Sequence, residues 1–89
     1  MKFAIVDTDR NLRTVISTAM GRAYPRADVL QFQDGRAALQ TLETQPIDAL
    51  LCALILPELD GLGLLEAIRS MRRRPRVMVL TQVTNEQIL

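Results

Sequence analysis

The period of the apolar positions changes several times along the 89-residue chain, and each change marks an element. Met1 to Val6 is a short apolar run cut off by Asp7-Thr8-Asp9. It is too brief for a helix and predicts a buried strand. From Arg10 onward, Leu12, Val15, Ile16, Ala19, Met20 and Ala23 recur at three and four residues. That is the period of a helix with one buried face, and Asp9 is placed to cap it. Tyr24-Pro25 closes this helix, because the residue before proline is pushed away from helical geometry. A second strand over Asp28 to Gln33 follows.

Asp34-Gly35 then marks a turn, where Asp bonds nearby backbone and Gly permits positive φ. Ala37, Ala38, Leu39 and Leu42 supply the apolar face of a second helix ending near Thr44 and Pro46. Ile47 to Leu56 is almost continuously apolar apart from Asp48, as expected for a central parallel strand covered on both faces. Pro57 to Gly61 reads as a loop. Leu62, Leu64, Leu65, Ala67, Ile68 and Met71 give a third helix with Asp60 as its cap, and Arg76 to Leu80 is a fourth strand. Thr84 to Leu89 begins what reads as a fourth helix. Strands and helices alternate across residues 1–89 without a linker or repeat, so the expectation is one α/β domain with a doubly wound parallel sheet.

Composition narrows the chemistry more than it identifies it. Hydrophobic residues make up 48% and charged residues 24%, the balance of an ordinary globular chain. The net charge of +1 gives no global attraction to nucleic acid or membrane. With no histidine and one cysteine, the common zinc clusters and the Ser/His and Cys/His catalytic pairs are excluded within this chain. Cys52 lies in an apolar run and reads as an inert buried thiol. No stretch has the roughly 18 to 20 apolar residues of a membrane span, and the N-terminus lacks a signal-peptide pattern, which together suggest a cytoplasmic location. The one basic cluster, Arg69, Arg72, Arg73, Arg74 and Arg76, reads as a solvated helix end. No aromatic residue is interleaved for base stacking, so direct nucleic-acid binding is not expected.

Four segments carry a family resemblance. They are Ile5-Val6-Asp7, Asp34 through Leu39, Asp48 through Gly61, and Val77-Met78-Val79-Leu80-Thr81. In order and spacing they resemble the receiver domain of bacterial response regulators, a CheY-like, flavodoxin-like fold with its site at the strand C-termini. Two strings, Leu59 to Glu66 and Arg74 to Thr81, resemble receivers of the stage 0 sporulation protein A type. The resemblance implies strand order 2-1-3-4, with the family's fifth strand and helix missing from this chain. It also implies a phosphoacceptor aspartate four residues before Pro57. That position holds Ala53, and a one-residue slip would turn the side chain to the opposite face. Ala53 has neither a nucleophilic oxygen nor a metal ligand, so aspartyl phosphorylation there is chemically excluded.

The resemblance further places metal-binding acids at the end of the first strand, where only Asp7 matches and Thr8 follows it. Asp9 is a second candidate, giving a residual, weak Mg²⁺ site and otherwise no cofactor. Thr81 matches the family's switch hydroxyl. The expected function is a signalling and interaction module of a two-component system, not an enzyme and not phosphorylated at the usual site. The alternative is a fragment or acceptor-site mutant of a conventional phosphorylation-activated regulator. Expected partners are proteins, a histidine kinase or phosphotransfer protein. A homodimer is also expected, formed through an uncovered strand edge at Val77, Met78, Val79 and Leu80.

Overall fold

The computed structural model describes residues 1–80. The elements are β1 (Lys2–Val6), α1 (Arg10–Ala23), β2 (Asp28–Phe32), α2 (Gly35–Thr44), β3 (Ala49–Ala53), α3 (Gly61–Arg69) and β4 (Arg76–Leu80). The strands form one parallel sheet in the order β2-β1-β3-β4. The expected doubly wound α/β fold and strand order are therefore present. Thr81 and the reading of a helix over Thr84 to Leu89 lie outside the described residues.

Alternation along the strands divides the core into two faces. Ala4 and Val6 of β1 and Leu50 and Cys52 of β3 point to one side, where Ala38 of α2 and Leu64 and Ile68 of α3 close over them. Every one of these side chains is at most 4% exposed. The opposite alternation puts Phe3 and Ile5 on the α1 side, both buried. There the Phe3 and Tyr24 rings meet edge to face, with centroids 5.2 Å apart.

Two parts of the sequence pattern resolve differently in three dimensions. The apolar run Ile47 to Leu56 contains a strand only at Ala49–Ala53. Ile47 and Leu56 are buried beyond its ends, whereas Leu54 and Ile55 turn outward, Ile55 to 86% exposure. The strand stops because the Leu54 carbonyl is drawn off to the Gly61 amide at 2.8 Å, which starts the turn into α3. Likewise, α1 has the expected period but contains no buried residue, and Val15 is 65% exposed. The helix packs chiefly on β2 and β1, and among the described residues no other element makes more than slight contact with it.

Asp34-Gly35 is a helix start instead of a turn. Asp34 caps α2 by accepting from the Ala37 amide at 2.8 Å, and Gly35 is the first residue of the helix. No glycine among the described residues has positive φ. Gly35 is required by proximity, since a Cβ there would lie 1.8 Å from the Leu59 carbonyl oxygen. Gly61 is likewise buried, its would-be Cβ 2.5 Å from the Ala53 carbonyl oxygen. Both glycines let the β3–α3 loop sit directly on neighbouring backbone.

Candidate functional site

The C-terminal ends of β1 and β3 meet at the centre of the sheet, where crevices of open parallel sheets lie. Val6 pairs with Cys52 in the parallel register, so the next residue along each strand, Asp7 and Ala53, stand side by side. Asp7 is only 7% exposed, and it is the buried charged residue among the described ones. Its Oδ1 accepts a hydrogen bond from the Asp9 amide at 2.8 Å. Its backbone carbonyl accepts from Arg13 Nη1 at 2.6 Å, and its amide donates to the Phe32 carbonyl at 3.1 Å. Three contacts thus hold the aspartate in place, from β2, from α1 and from the loop between β1 and α1.

Asp9 faces a different task. Its Oδ1 accepts from the amides of Asn11 and Leu12 at 2.9 and 3.2 Å, which caps α1 by satisfying amides that a helix start leaves unpaired. Ala53 contributes a methyl group and a carbonyl, and pairs with Leu80 on β4. No three His, Cys, Asp or Glu side chains gather to hold a metal among the described residues. Asp7 is thus the one buried carboxylate at the site, while one oxygen of Asp9 is engaged in the cap.

Beside this pair lies an open cleft of about 300 Å³, lined by Thr8, Gln33, Asp34, Pro57 and Glu58. Arg36 and Glu58 approach to 3.9 Å across its rim, both well exposed. Gln33, Arg36 and Glu58 were not singled out by the sequence, because polar residues in loops and at a helix start carry no period that would place them together. Glu58 has φ of +66°, with the Leu59 amide bonded to the Pro57 carbonyl at 2.7 Å. This is a tight three-residue turn of the strained kind, and it sets the outer wall of the cleft. Cys52, one residue before Ala53, is buried on the core side and donates to the Ala53 carbonyl at 3.1 Å. Burial, and secondarily the Asp7 carboxylate, push its thiol up to about 11, so it is no nucleophile near neutrality.

A central crevice flanked by a fixed aspartate on a parallel sheet of order β2-β1-β3-β4 defines a receiver-type α/β domain. The chain belongs to the response regulator receiver domain family, whose description matches residues 3–89. The Fimbriae Z protein of Salmonella typhimurium is 31% identical over 77 residues, covering 86% of this chain and 37% of that protein. The response regulatory domain of protein mrkE from Klebsiella pneumoniae superposes with a TM-score of 0.83 at 22% identity, covering 99% of this chain and 72% of that one. The receiver domain of sensor histidine kinase PA1611 from Pseudomonas aeruginosa, with a magnesium ion coordinated in its active-site cleft, gives 0.74 at 29% identity. That match covers 90% of this chain and 66% of the other. The chain thus spans well under half the length of the Fimbriae Z protein. No helix among the described residues is long and apolar enough to cross a membrane.

Proposed function

We propose that this receiver domain works as a protein-binding module of a two-component system without taking phosphate at the usual position. The observation that carries the proposal is Ala53 beside the buried Asp7 at the ends of β3 and β1. Phosphoryl transfer to a receiver needs an attacking carboxylate and enough ligands for a cation to offset the charge that develops. Ala53 supplies no attacking oxygen, and Asp9 has one oxygen engaged in capping. The four strands and three helices among the described residues nevertheless keep the ends of β1 and β3 in place, as presentation to a histidine kinase or phosphotransfer protein requires. Ile55 and Leu62, exposed on the stretch from β3 into α3, offer apolar contacts for such a protein.

A second reading is favoured by Asp7, which is held by three hydrogen bonds where a working metal site would want it. In that reading the chain is a piece or acceptor-site variant of a conventional regulator, related to the sporulation type through the Leu59 to Glu66 string. Incubation of the chain and of Ala53→Asp with acetyl phosphate and Mg²⁺, followed by intact-mass measurement, tests both. The native chain should gain no phosphoryl group, and a gain would overturn the proposal. A gain by Ala53→Asp alone would show that Asp7 still supports the relay chemistry, as the second reading requires.

The homodimer belongs to the same proposal. Met78 and Val79 of β4 are 62% and 40% exposed, and β4 pairs with β3 alone among the described residues. An unpaired apolar strand edge recruits another strand. Light scattering after size exclusion should find a dimer, and a monomer at high micromolar concentration would refute the edge pairing.

A further inference from the structure

We infer that the end of the domain opposite the Asp7–Ala53 site is a docking groove for an acidic peptide segment carrying one large apolar side chain. The groove has a volume of about 420 Å³ and lies between the C-terminal ends of α2 and α3. Leu42, Ile47 and Met71 form its apolar lining, and Arg72 and Arg73 stand at its edge. Ile47 is buried at its base, while both arginines are exposed.

Charge distribution selects the occupant. The near-zero net charge conceals a separation between the two ends of the sheet. At the strand C-termini Asp7, Asp9, Asp34, Glu58 and Asp60 outnumber Arg10, Arg13 and Arg36, while at the N-termini Lys2, Arg26, Arg72, Arg73, Arg74 and Arg76 outnumber Asp28, Glu43 and Asp48. Among the described residues, Arg72, Arg73, Arg74 and Arg76 make no ion pair, whereas Arg69 is paired with Glu66 and Arg36 with Glu58. The acids near the groove do little to offset the arginines. Asp48 is tied to the Lys2 amide at 2.8 Å and is not part of the lining, so Glu43 is the acidic residue on the groove wall, against Arg72 and Arg73. Lys2 Nζ donates to Gln45 Oε1, which ties a further cation to the groove.

A helix C-terminus attracts cations, and this accounts for basic residues just after α3. It does not account for an apolar depression between them. A pocket of this size accepts a Leu or Phe side chain, and the surrounding unpaired guanidinium groups would bond carboxylates on either side of it, two-pronged where geometry allows. Nucleic acid is a poorer match, because the patch has no aromatic residue on which a base could stack.

The test uses the 89-residue chain and a fluorescein-labelled peptide, Asp-Glu-Asp-Phe-Glu-Asp-Glu, read by fluorescence anisotropy. Controls are the same peptide with Ser for Phe, and a single-stranded oligodeoxynucleotide. Saturable binding should weaken at least about tenfold in R72E/R73E, at least about fivefold on loss of Phe, and severalfold between low and physiological salt. Because both arginines are exposed, circular dichroism of R72E/R73E should match the parent and confirm that the loss is local. A third variant, Arg36→Glu at the opposite end, should bind as the parent does. Equal binding of the Ser peptide would overturn the proposal, since the groove would then have no role. So would tighter binding of the oligonucleotide, or unchanged affinity in R72E/R73E. Concentration-dependent self-association that R72E/R73E abolishes, with no peptide binding, would assign the groove to a second copy and equally refute the acidic-peptide reading.

Discussion

Replacing Gly35 and Gly21 by alanine makes the same chemical change in two helices, and the structure expects opposite results. Gly21 lies within α1, and a Cβ there meets nothing within 4 Å. Gly21→Ala should therefore gain the ordinary helical advantage of alanine, up to about 1 kcal/mol. Gly35 opens α2, where a Cβ would sit 1.8 Å from the Leu59 carbonyl oxygen, about 1.2 Å inside the 3.0 Å that real Cβ atoms keep. The obstacle is backbone, so no rotamer change relieves it. Overpacking of this kind costs about 1 to 3 kcal/mol or more, and the upper end applies when a loop must move as a body. The net expectation is a loss of about 2 kcal/mol. For a domain of this length that corresponds to a fall in Tm of roughly 8 to 16 °C, against a rise of up to about 8 °C for Gly21→Ala. Urea unfolding followed by circular dichroism measures both, with the slope of free energy against urea checking that the transitions are comparable. Equal stabilisation by the two substitutions would refute the close approach of α2 to the β3–α3 loop.

Two further outcomes follow from local geometry. Glu58→Gly should raise the urea midpoint, by a gain in unfolding free energy of up to about 1 kcal/mol, because φ of +66° is costly for any residue with a Cβ. The exposed Arg36 pair lost with it contributes little at 3.9 Å, and a lowered midpoint would refute the strain. For Cys52 the folded thiol titrates near 11 against 9.0 for an unperturbed one, so the folded state holds its proton more tightly. Its contribution to stability is present below pH 9 and is lost as pH rises through 11, by at most about 2 to 3 kcal/mol. Native protein should accordingly react slowly with a thiol reagent at pH 8, and Cys52→Ala should flatten the alkaline loss of stability. An unchanged pH profile in that variant would show that burial of the thiol has no such consequence.

The alternation of strands and helices was legible because each element repeats its own period over several residues. Positions between elements were harder. Asp34-Gly35 has the composition of a turn, yet Asp34 caps α2 and Gly35 begins it. What decides this is the Leu59 carbonyl, 24 residues further along the chain and invisible to any local pattern. The same applies at the end of β3, where the apolar run continues but the Leu54 carbonyl has already left the ladder for the Gly61 amide. At the site, Asp7 and Ala53 could be located from their strands, because parallel register brings strand ends together. Gln33, Arg36 and Glu58 could not, because the geometry of two loops and of the start of α2 decides what faces the cleft.

Under the proposed function, this division accounts for a receiver that keeps its shape with alanine at position 53. The structure around Ala53 is held by backbone and by glycines: Gly61 against the Ala53 carbonyl, Gly35 against Leu59, and the Pro57–Leu59 turn. None of these contacts uses the side chain at position 53. A carboxylate there would be an addition to a finished frame, as Asp7, fixed by contacts of its own, already is. On the proposed reading, fold and phosphoryl chemistry are thus separable at one residue: alanine there supplies no nucleophile, and the backbone contacts that shape the surface stay in place.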